Sequence, residues 1–543
     1  MSAMSICGAS PAALAATILV AAPASGQDVA AKDIVEFART AARDNRHADA
    51  IAGFRAAIAE QPERRAELLV ELADQLTWSN QLADAVEAYR SALALIEPAQ
   101  GFRAHVGLAR ALSWQGKHDE AISEYAAALI MEPQNREVRL LQAEVMGWAE
   151  RHGAASDAYR AILNDHPDDA AAGRGLARSL SWRGYHRAAL AVLQAMPEPE
   201  HQSREARVIA AETLIWMGRA DRAEPLLRDA LSAFPDDRHL AWLLAEILRR
   251  DRPEARIDAR LFDQSDDLGI RDLSAELALP LAMGSSGVGL RLGHTRYDPP
   301  SGPVQSIEVT RPQMFGRFRL SDAVQLSGSA ALDIINTRGA DGDYVKPTFE
   351  AYATVWPSDI VRIDFGGSRW TFDNEASLRT GLTATQWGGS VDLVPVDHVQ
   401  LSARVSRTRF SDSNRRTWWQ LEAGKRLNDS PRLYIGYRYT NFDFKLTGQP
   451  GYYNPDSFSS HEALLRSWGR LGSDLRWYLR LAAGRETERP GGSRWSINAG
   501  ASVTWEASDR LEVEAGYDFS TSRTTSVGGF ERNIARVTLR WKL

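Results

Sequence analysis

Tryptophan recurs along the first half of the chain at a nearly constant interval: Trp78, Trp114, Trp148, Trp182 and Trp216 are spaced by 36, 34, 34 and 34 residues. Other positions keep the same phase. Ala73, Ala109, Ala143, Ala177 and Ala211 stand five residues before each Trp, and Asn80, Gly116, Gly184 and Gly218 follow as turn residues. Next come Ala85, Ala121, Ala155, Ala189 and Ala223, then Tyr89, Tyr125, Tyr159, Leu193 and Leu227, and each unit closes at Pro98, Pro133, Pro167, Pro197 or Pro235. A period in this range is the mark of stacked copies of one small unit, none of which buries its apolar face alone. An earlier unit with Ala50, Phe54, Ala57 and Pro62 lacks the Trp. Six units cover residues 32–237, Glu150 and Met196 break the pattern in the loosest two, and residues 238–250 read as a terminal helix.

The pattern resembles the tetratricopeptide repeat, whose unit sets small residues where two antiparallel helices touch and a proline where the second helix stops. The resemblance implies a superhelix that offers a concave binding surface and performs no chemistry. It also implies that Trp78, Trp114, Trp148, Trp182 and Trp216 lie near the concave ridge, where indoles can stack on sugar rings or grip a peptide. The alternative is that each Trp wedges between neighbouring first helices as core, which repeat-to-repeat packing favours.

From about Arg256 the apolar period changes from 3.6 to 2. Val537, Leu539, Trp541 and Leu543 alternate with Arg536, Thr538, Arg540 and Lys542, and residues 494–505 and 510–519 repeat the alternation. Short polar turns recur at Ser321-Asp322, Pro357-Ser358-Asp359, Pro395-Val396-Asp397, Asn428-Asp429-Ser430-Pro431, Gly472-Ser473-Asp474 and Ser508-Asp509. Between them lie pairs of long strands joined by longer loops, the asymmetry of outer-membrane barrels and not of sandwiches, whose strands average about half that length. The count is sixteen strands, or fourteen if the weakly patterned start is left out. The fold class is thus an all-α repeat region followed by an antiparallel transmembrane β-barrel wide enough to enclose a water-filled channel.

Strand parity gives a candidate lumen lining: Arg404, Glu422, Arg426, Arg432, Arg438, Arg476, Arg480, Arg494, Glu512, Asp518, Arg536 and Arg540. Burying these charges in a dry core would cost several kcal/mol for each unpaired one, so a hydrated lumen fits them better. Each can equally be a wall residue in a cross-barrel ion pair. Trp356, Trp477, Trp495, Trp505, Phe519 and Trp541, near strand ends and assigned to the outer face, read as an interfacial girdle.

Composition agrees with this division once the period is known. Of 543 residues, 25% are charged and the mean hydropathy is −0.33, and the longest apolar run, residues 12–24, is too short for a spanning helix. The net charge of −6 divides into about −7 over residues 1–250 and about +1 thereafter, so neither part is a basic nucleic-acid binder. Residues 1–26 carry the apolar core and small-residue end of a secretory signal. Cys7 is the single cysteine and falls inside it, so a disulfide framework is excluded. With no histidine ligand pair, G-x-S-x-G elbow or phosphate loop, the sequence gives no catalytic, metal or cofactor site.

One loop carries a more specific likeness. Gly451-Tyr452-Tyr453-Asn454-Pro455-Asp456-Ser457-Phe458 resembles a Gly-Tyr-Tyr-Ser-Pro-type segment in the C-terminal barrel of the outer-membrane component of bacterial cellulose synthases. Those proteins and the poly-N-acetylglucosamine porins are similar to this chain in layout, as are the smaller YaiO-type barrel proteins. The resemblance implies a signal peptide over 1–26, repeats over 27–250, a linker over 251–256 and an outer-membrane barrel over 257–543, in a Gram-negative bacterium. It implies export of an exopolysaccharide, with outer-membrane lipid, the polysaccharide chain and periplasmic or inner-membrane biosynthesis proteins as partners. Tyr452, Tyr453, Asn454 and Pro455 are then candidates for an extracellular gating loop, or form a hairpin tip whose Gly and Pro set the turn. A surface receptor or structural barrel with a periplasmic scaffold is the alternative function.

Overall fold

The computed structural model describes residues 27–265, 267–298, 306–337, 342–394, 398–429, 431–523 and 531–543. The expected export segment with Cys7, and the turn at 395–397, lie outside the described residues. The chain divides into two compact units, residues 1–151 and 152–543.

The first unit holds helices α1 (Gln27–Arg43), α2 (His47–Glu60), α3 (Arg65–Trp78), α4 (Leu82–Leu93), α5 (Phe102–Trp114), α6 (His118–Met131) and α7 (Arg136–Trp148). Each tight turn from a first to a second helix passes through a left-handed residue: Asn45, Asn80, Gly116 and Glu150, with φ of 58°, 62°, 77° and 59°. Glycine and asparagine take that conformation readily, whereas Glu150 holds it against its Cβ. The phased alanines Ala73, Ala85, Ala109 and Ala121 are fully buried, which lets the helices approach, and Tyr89 and Tyr125 fill the space between pairs. The tryptophans do not. Trp78, Trp114 and Trp148 are 56, 44 and 44% exposed, so the wedge reading fails here. Each closes a first helix, at the edge of its hairpin, and the interior is already occupied by tyrosine, leucine and alanine. Their rings meet neighbouring edges instead: Trp78 meets Trp114 at 5.6 Å, and Trp148 meets His118 at 6.3 Å.

The second unit begins with α8 (His152–Asp165), α9 (Ala170–Trp182), α10 (His186–Gln194), α11 (Arg204–Trp216), α12 (Ala220–Ala233) and α13 (Arg238–Arg250). Asp169, Ser203 and Asp237 cap α9, α11 and α13 with their side chains, 34 residues apart. Trp182 and Trp216 again lie at helix ends, beside His152 at 4.9 Å and His186 at 6.3 Å; Trp216 is 49% exposed.

Sixteen strands follow: β1 (Glu254–Gln264), β2 (Gly269–Leu281), β3 (Ser286–Asp298), β4 (Ile307–Arg319), β5 (Val324–Asn336), β6 (Tyr344–Ser358), β7 (Val361–Thr371), β8 (Thr383–Leu393), β9 (Val399–Phe410), β10 (Arg415–Asp429), β11 (Arg432–Phe444), β12 (Ser457–Leu471), β13 (Leu475–Arg489), β14 (Gly492–Glu506), β15 (Leu511–Ser520) and β16 (Arg532–Lys542). A short helix, α14 (Glu375–Thr380), interrupts the loop between β7 and β8. Every strand pairs antiparallel with its chain neighbour and β1 pairs with β16, closing the barrel. Strand β1 starts at Glu254, which leaves only residues 251–253 between α13 and the barrel. Large apolar side chains point outward, among them Leu261, Leu290 and Val405 at 60, 63 and 57% exposure. A belt of this kind is stable only in lipid, so this is an outer-membrane type of barrel. Trp356 is a correction to the girdle: a register shift between Val355 and Ser358 ends the regular pairing of β6, and the indole lies 4.0 Å from the guanidinium of Arg319, a residue of the inward-facing register.

The short turns grip the helices of the same unit. Asp359, after β6, accepts the backbone N–H groups of Arg187 and Ala188 at 3.1 and 3.2 Å, supplying the cap that α10 lacks from its own sequence. Asp322, between β4 and β5, binds Arg219 and Arg222 at the start of α12, and its carbonyl accepts from Arg187 at 2.8 Å. Met283, between β2 and β3, packs on the cluster that holds Leu240 and Ile247 of α13. Three successive turns thus hold three of the helices.

Beside Asp359 lies His186, whose proton affinity burial pushes below the ordinary value of 6.5 although the Asp359 carboxylate opposes this. The unfolded chain then binds the proton more readily than the folded one, so the stabilisation is complete above about pH 6.5 and declines as pH falls below it. The urea midpoint of the helical transition is expected to drop between pH 7.5 and 5.5 by more in the wild type than in His186→Asn; equal drops would refute the assignment.

Candidate functional site

The strand register fixes one inner face around the barrel. Arg404 opposes Gln420 and Ser390, Glu422 opposes Arg438 and Ser402, and Arg432 opposes Trp468. On the last strands Arg480 opposes Arg466 and Gly500, Asp518 opposes Gly500 and Ile534, and Glu512 opposes Arg540. All twelve candidate lining residues share that register, and the structure distributes them into networks of different character.

Along β13 to β16 the charges form a zigzag of alternating sign. Arg476 bonds Glu512 at 2.5 Å, Glu512 also binds Arg540, Arg540 reaches Glu514 at 3.0 Å, Glu514 reaches Arg536 at 3.3 Å, and Arg536 and Arg480 meet Asp518 at 3.6 and 2.7 Å. Glycine makes the wall flat beneath it. A Cβ on Gly500 would stand 2.6 Å from Nε of Arg480, and one on Gly516 would stand 2.7 Å from Nε of Arg536. The guanidinium groups therefore lie along the wall instead of across the bore. Arg494 approaches Glu486 at 3.5 Å, Arg404 lies 3.8 Å from Asp392, and Arg426 donates to Nδ1 of His398 at 3.0 Å.

Glu422 is the most enclosed of the twelve, 8% exposed. It accepts from Arg438 and Arg466 at 2.9 Å each, with the Tyr434 hydroxyl at 3.4 Å. Removing one member of such a buried network leaves charge uncompensated, a loss of about 3–5 kcal/mol. Glu422→Ala is therefore expected to lower the temperature at which the barrel loses its resistance to unfolding on semi-native gels, and Glu422→Gln to lower it less; an unchanged transition would show that the two arginines find water instead.

At the end away from the short turns, two loops fold inward. The loop between β11 and β12 lays Tyr452 against inner-face aromatics: Phe410 at 4.7 Å and 7° between planes, Phe372 at 5.6 Å and Phe444 at 5.9 Å. Its hydroxyl donates to Asp412 at 2.8 Å and accepts from Asn414 Nδ2 at 2.7 Å. Tyr453 stands edge-on to Phe442 and Phe458, and its hydroxyl reaches Glu488. Asn454 is buried and ties the loop to itself through the carbonyls of Gln449 and Tyr452 at 2.8 and 2.7 Å. Pro455 follows as a buried residue leading into β12.

The second loop carries no signal that sequence reasoning picks out. Helix α14 meets the first loop where Asn374 and Ser377 donate to the Gly451 carbonyl at 2.7 and 2.5 Å. Leu378 then reaches the opposite wall, packing with Ile270, Tyr297, Ile307, Val309 and Ile335 on β2 to β5, while Asp373 pairs with Arg532 of β16 at 2.9 Å. The two loops together bridge the mouth from the β9–β12 wall to the β16–β5 wall. A half-buried cation lies beneath them: Arg416 sits 5.9 Å from the rings of Phe442 and Phe444 and has Gln386 and Thr408 as hydrogen-bond partners, at 3.4 Å each.

A solved bacterial polysaccharide outer membrane secretin is similar to this chain. The match has 17% identity, covers 54% of this chain and 99% of that one, and has a TM-score of 0.44. YrrB, a tetratricopeptide-repeat protein with an unusual peptide-binding site, matches at 22% identity over 35% of this chain and 96% of its own, with a TM-score of 0.29. PilF of Pseudomonas aeruginosa matches at 16% identity over 41% and 100%, with a TM-score of 0.33. No family model matches the chain, and no curated relative does.

The candidate lining left out several members of the networks, although parity alone places Glu514 beside Glu512 and Asp518. Arg466, Glu506 and Glu514 share the inner register, as do the pairs Arg311–Asp333 and Arg362–Asp364 on the other wall. The alternation that would have revealed the latter is diluted by Gly and Ser in β5 to β8. Among the described residues no group of three or more His, Cys, Asp or Glu side chains is placed to hold a metal ion.

Proposed function

We propose that the protein is an outer-membrane conduit for an exopolysaccharide, with its short-turn end and helical repeats in the periplasm and its two inward loops at the cell exterior. One observation carries this reading: a barrel of a size that encloses water has a charged, hydrogen-bonding inner wall and a mouth closed by loops that bond mainly to one another and to the wall. Hydroxyl-rich chains suit such a wall, since arginine forks bond neutral hydroxyls as well as carboxylates and no chemistry is required of the channel. The repeats would bind the polymer or periplasmic and inner-membrane biosynthesis proteins, and the half-exposed Trp78, Trp114, Trp148 and Trp216 are the candidate contact ridge, with Trp182 in the same phase. The closed mouth gives weight to a second reading, a surface receptor or structural barrel whose lumen is plugged. Deleting the gene in the producing cell separates the two. Polymer accumulating in the periplasm while disappearing from the medium is expected for the conduit; undiminished secretion would exclude it.

A further inference from the structure

We infer that the inner wall near the short-turn end carries a binding subsite for one pyranose unit, built on Trp468 and Tyr478. The inference rests on the conduit reading. Trp468 on β12 and Tyr478 on β13 are direct cross-strand partners, with ring centroids 6.4 Å apart and planes at 44°. Both share the register of the charged networks and so face the lumen. Among the described residues neither the indole N–H nor the phenol hydroxyl has a hydrogen-bond partner, and Tyr478 is 36% exposed.

The surroundings complete a sugar-binding chemistry. Arg432 flanks Trp468 on one side and Ser502 flanks Tyr478 on the other. One step toward the turn, Arg470 and Arg476 converge on Glu506 at 3.1 and 3.0 Å. One step inward, Arg466 lies 5.1 Å over Tyr434 and is held by Glu422. A pyranose ring presents C–H groups on its face and hydroxyls at its edge. Aromatic rings receive the face, and the free N–H, the free hydroxyl and the Arg432 guanidinium receive the edge. The aromatics at the other mouth are covered by Tyr452 and Tyr453. Trp468 is half-exposed and Tyr478 exposed among the described residues, and apolar rings reached by water are stabilised when a ligand shields them. The pair sits at the end where a chain from the repeat side enters, so it would align the polymer before the wall of fixed charges.

Current blockade in planar bilayers tests this, using full-length protein with residues 449–456 replaced by a short turn to hold the mouth open. Cellohexaose and tetragalacturonate, added separately to the repeat side, serve as neutral and acidic probes. Side-specific blockades are expected from at least one. Trp468→Ala with Tyr478→Ala is expected to shorten their dwell time about tenfold with conductance unchanged, and Trp468→Phe to restore most of it. Dwell times unchanged in the double variant would overturn the subsite while leaving the conduit standing, as would a conducting wild-type barrel that neither probe blocks. No conductance from the opened barrel would overturn the conduit itself.

Discussion

Replacing residues 449–456 by a short glycine-serine turn raises single-channel conductance by about tenfold or more, because the inward loop between β11 and β12 is held by few contacts and its own are removed together. Tyr452 loses its stack on Phe410 and its bonds to Asp412 and Asn414. The carbonyl of Gly451, which accepts from Asn374 and Ser377, also goes, so α14 is left with Leu378 and Asp373 as its anchors on the far wall. Milder variants rank accordingly. Tyr452→Phe keeps the ring and loses two hydrogen bonds, so it is expected to flicker; Tyr452→Ala loses both kinds of contact and is expected to stay open longer. The measurement is conductance in planar bilayers, and an excised barrel no more conductive than the wild type would mean that these loops do not set the resistance.

The second large effect lies in the repeats. Gly107 on α5 faces Tyr89 of α4 so closely that a Cβ there would stand 2.4 Å from the ring. The ring cannot turn away cheaply, since it is 1% exposed and its hydroxyl donates to Asp74 at 2.6 Å, which also receives Arg103 at 2.5 Å. Burial and the Asp74 carboxylate both raise the proton affinity of that hydroxyl, so it remains a donor at any working pH. Gly107→Val is therefore expected to cost about 3 kcal/mol or more through overpacking and the broken bond, with Gly107→Ala intermediate. Helical ellipticity followed through urea measures it. The second unit repeats the arrangement, with a Gly175 Cβ placed 2.3 Å from Tyr159, so Gly175→Val should behave alike. A valine variant as stable as the wild type would show that the helices slide apart at little cost.

Local patterns are the most legible part of the fold. The 34-residue phase locates the second-helix alanines and tyrosines correctly, because every repeat places them against the same neighbour. The same period also holds two further signals: the caps Asn135, Asp169, Ser203 and Asp237, and the second-helix starts His118, His152 and His186. Both are spaced by 34 and are readable without the structure. The tryptophans leave ridge and wedge undecided for a physical reason, since sequence gives their phase on the helix and not how much of the interior tyrosine and leucine have already filled.

In the barrel, parity tells which side chains share a face and cannot tell their partners. Whether Arg540 meets Glu512 or some other carboxylate depends on the stagger between strands, which no single strand encodes. The two inward loops illustrate the same limit. Tyr452 and Tyr453 stand out as neighbouring aromatics in a long loop, whereas Leu378 is an ordinary leucine in a short segment, and its partners lie some 40 to 110 residues away on β2 to β5.

The pairing of β1 with β16 imposes an order of events. Thr538 bonds Asp258 across a separation of 280 residues, so the seam requires the two ends of the barrel to meet. Helix pairs in the repeats are formed by neighbours in the chain and can fold as soon as they emerge, whereas contacts this distant form slowly. A chain delivered N-terminus first would complete its helices while the barrel is still an open sheet with two unpaired edges. Those edges are vulnerable to pairing with other chains until the last strand arrives. The final eleven-residue strand thus acts as a clasp, and truncations there are predicted to trap a folded helical half attached to a sheet that cannot close.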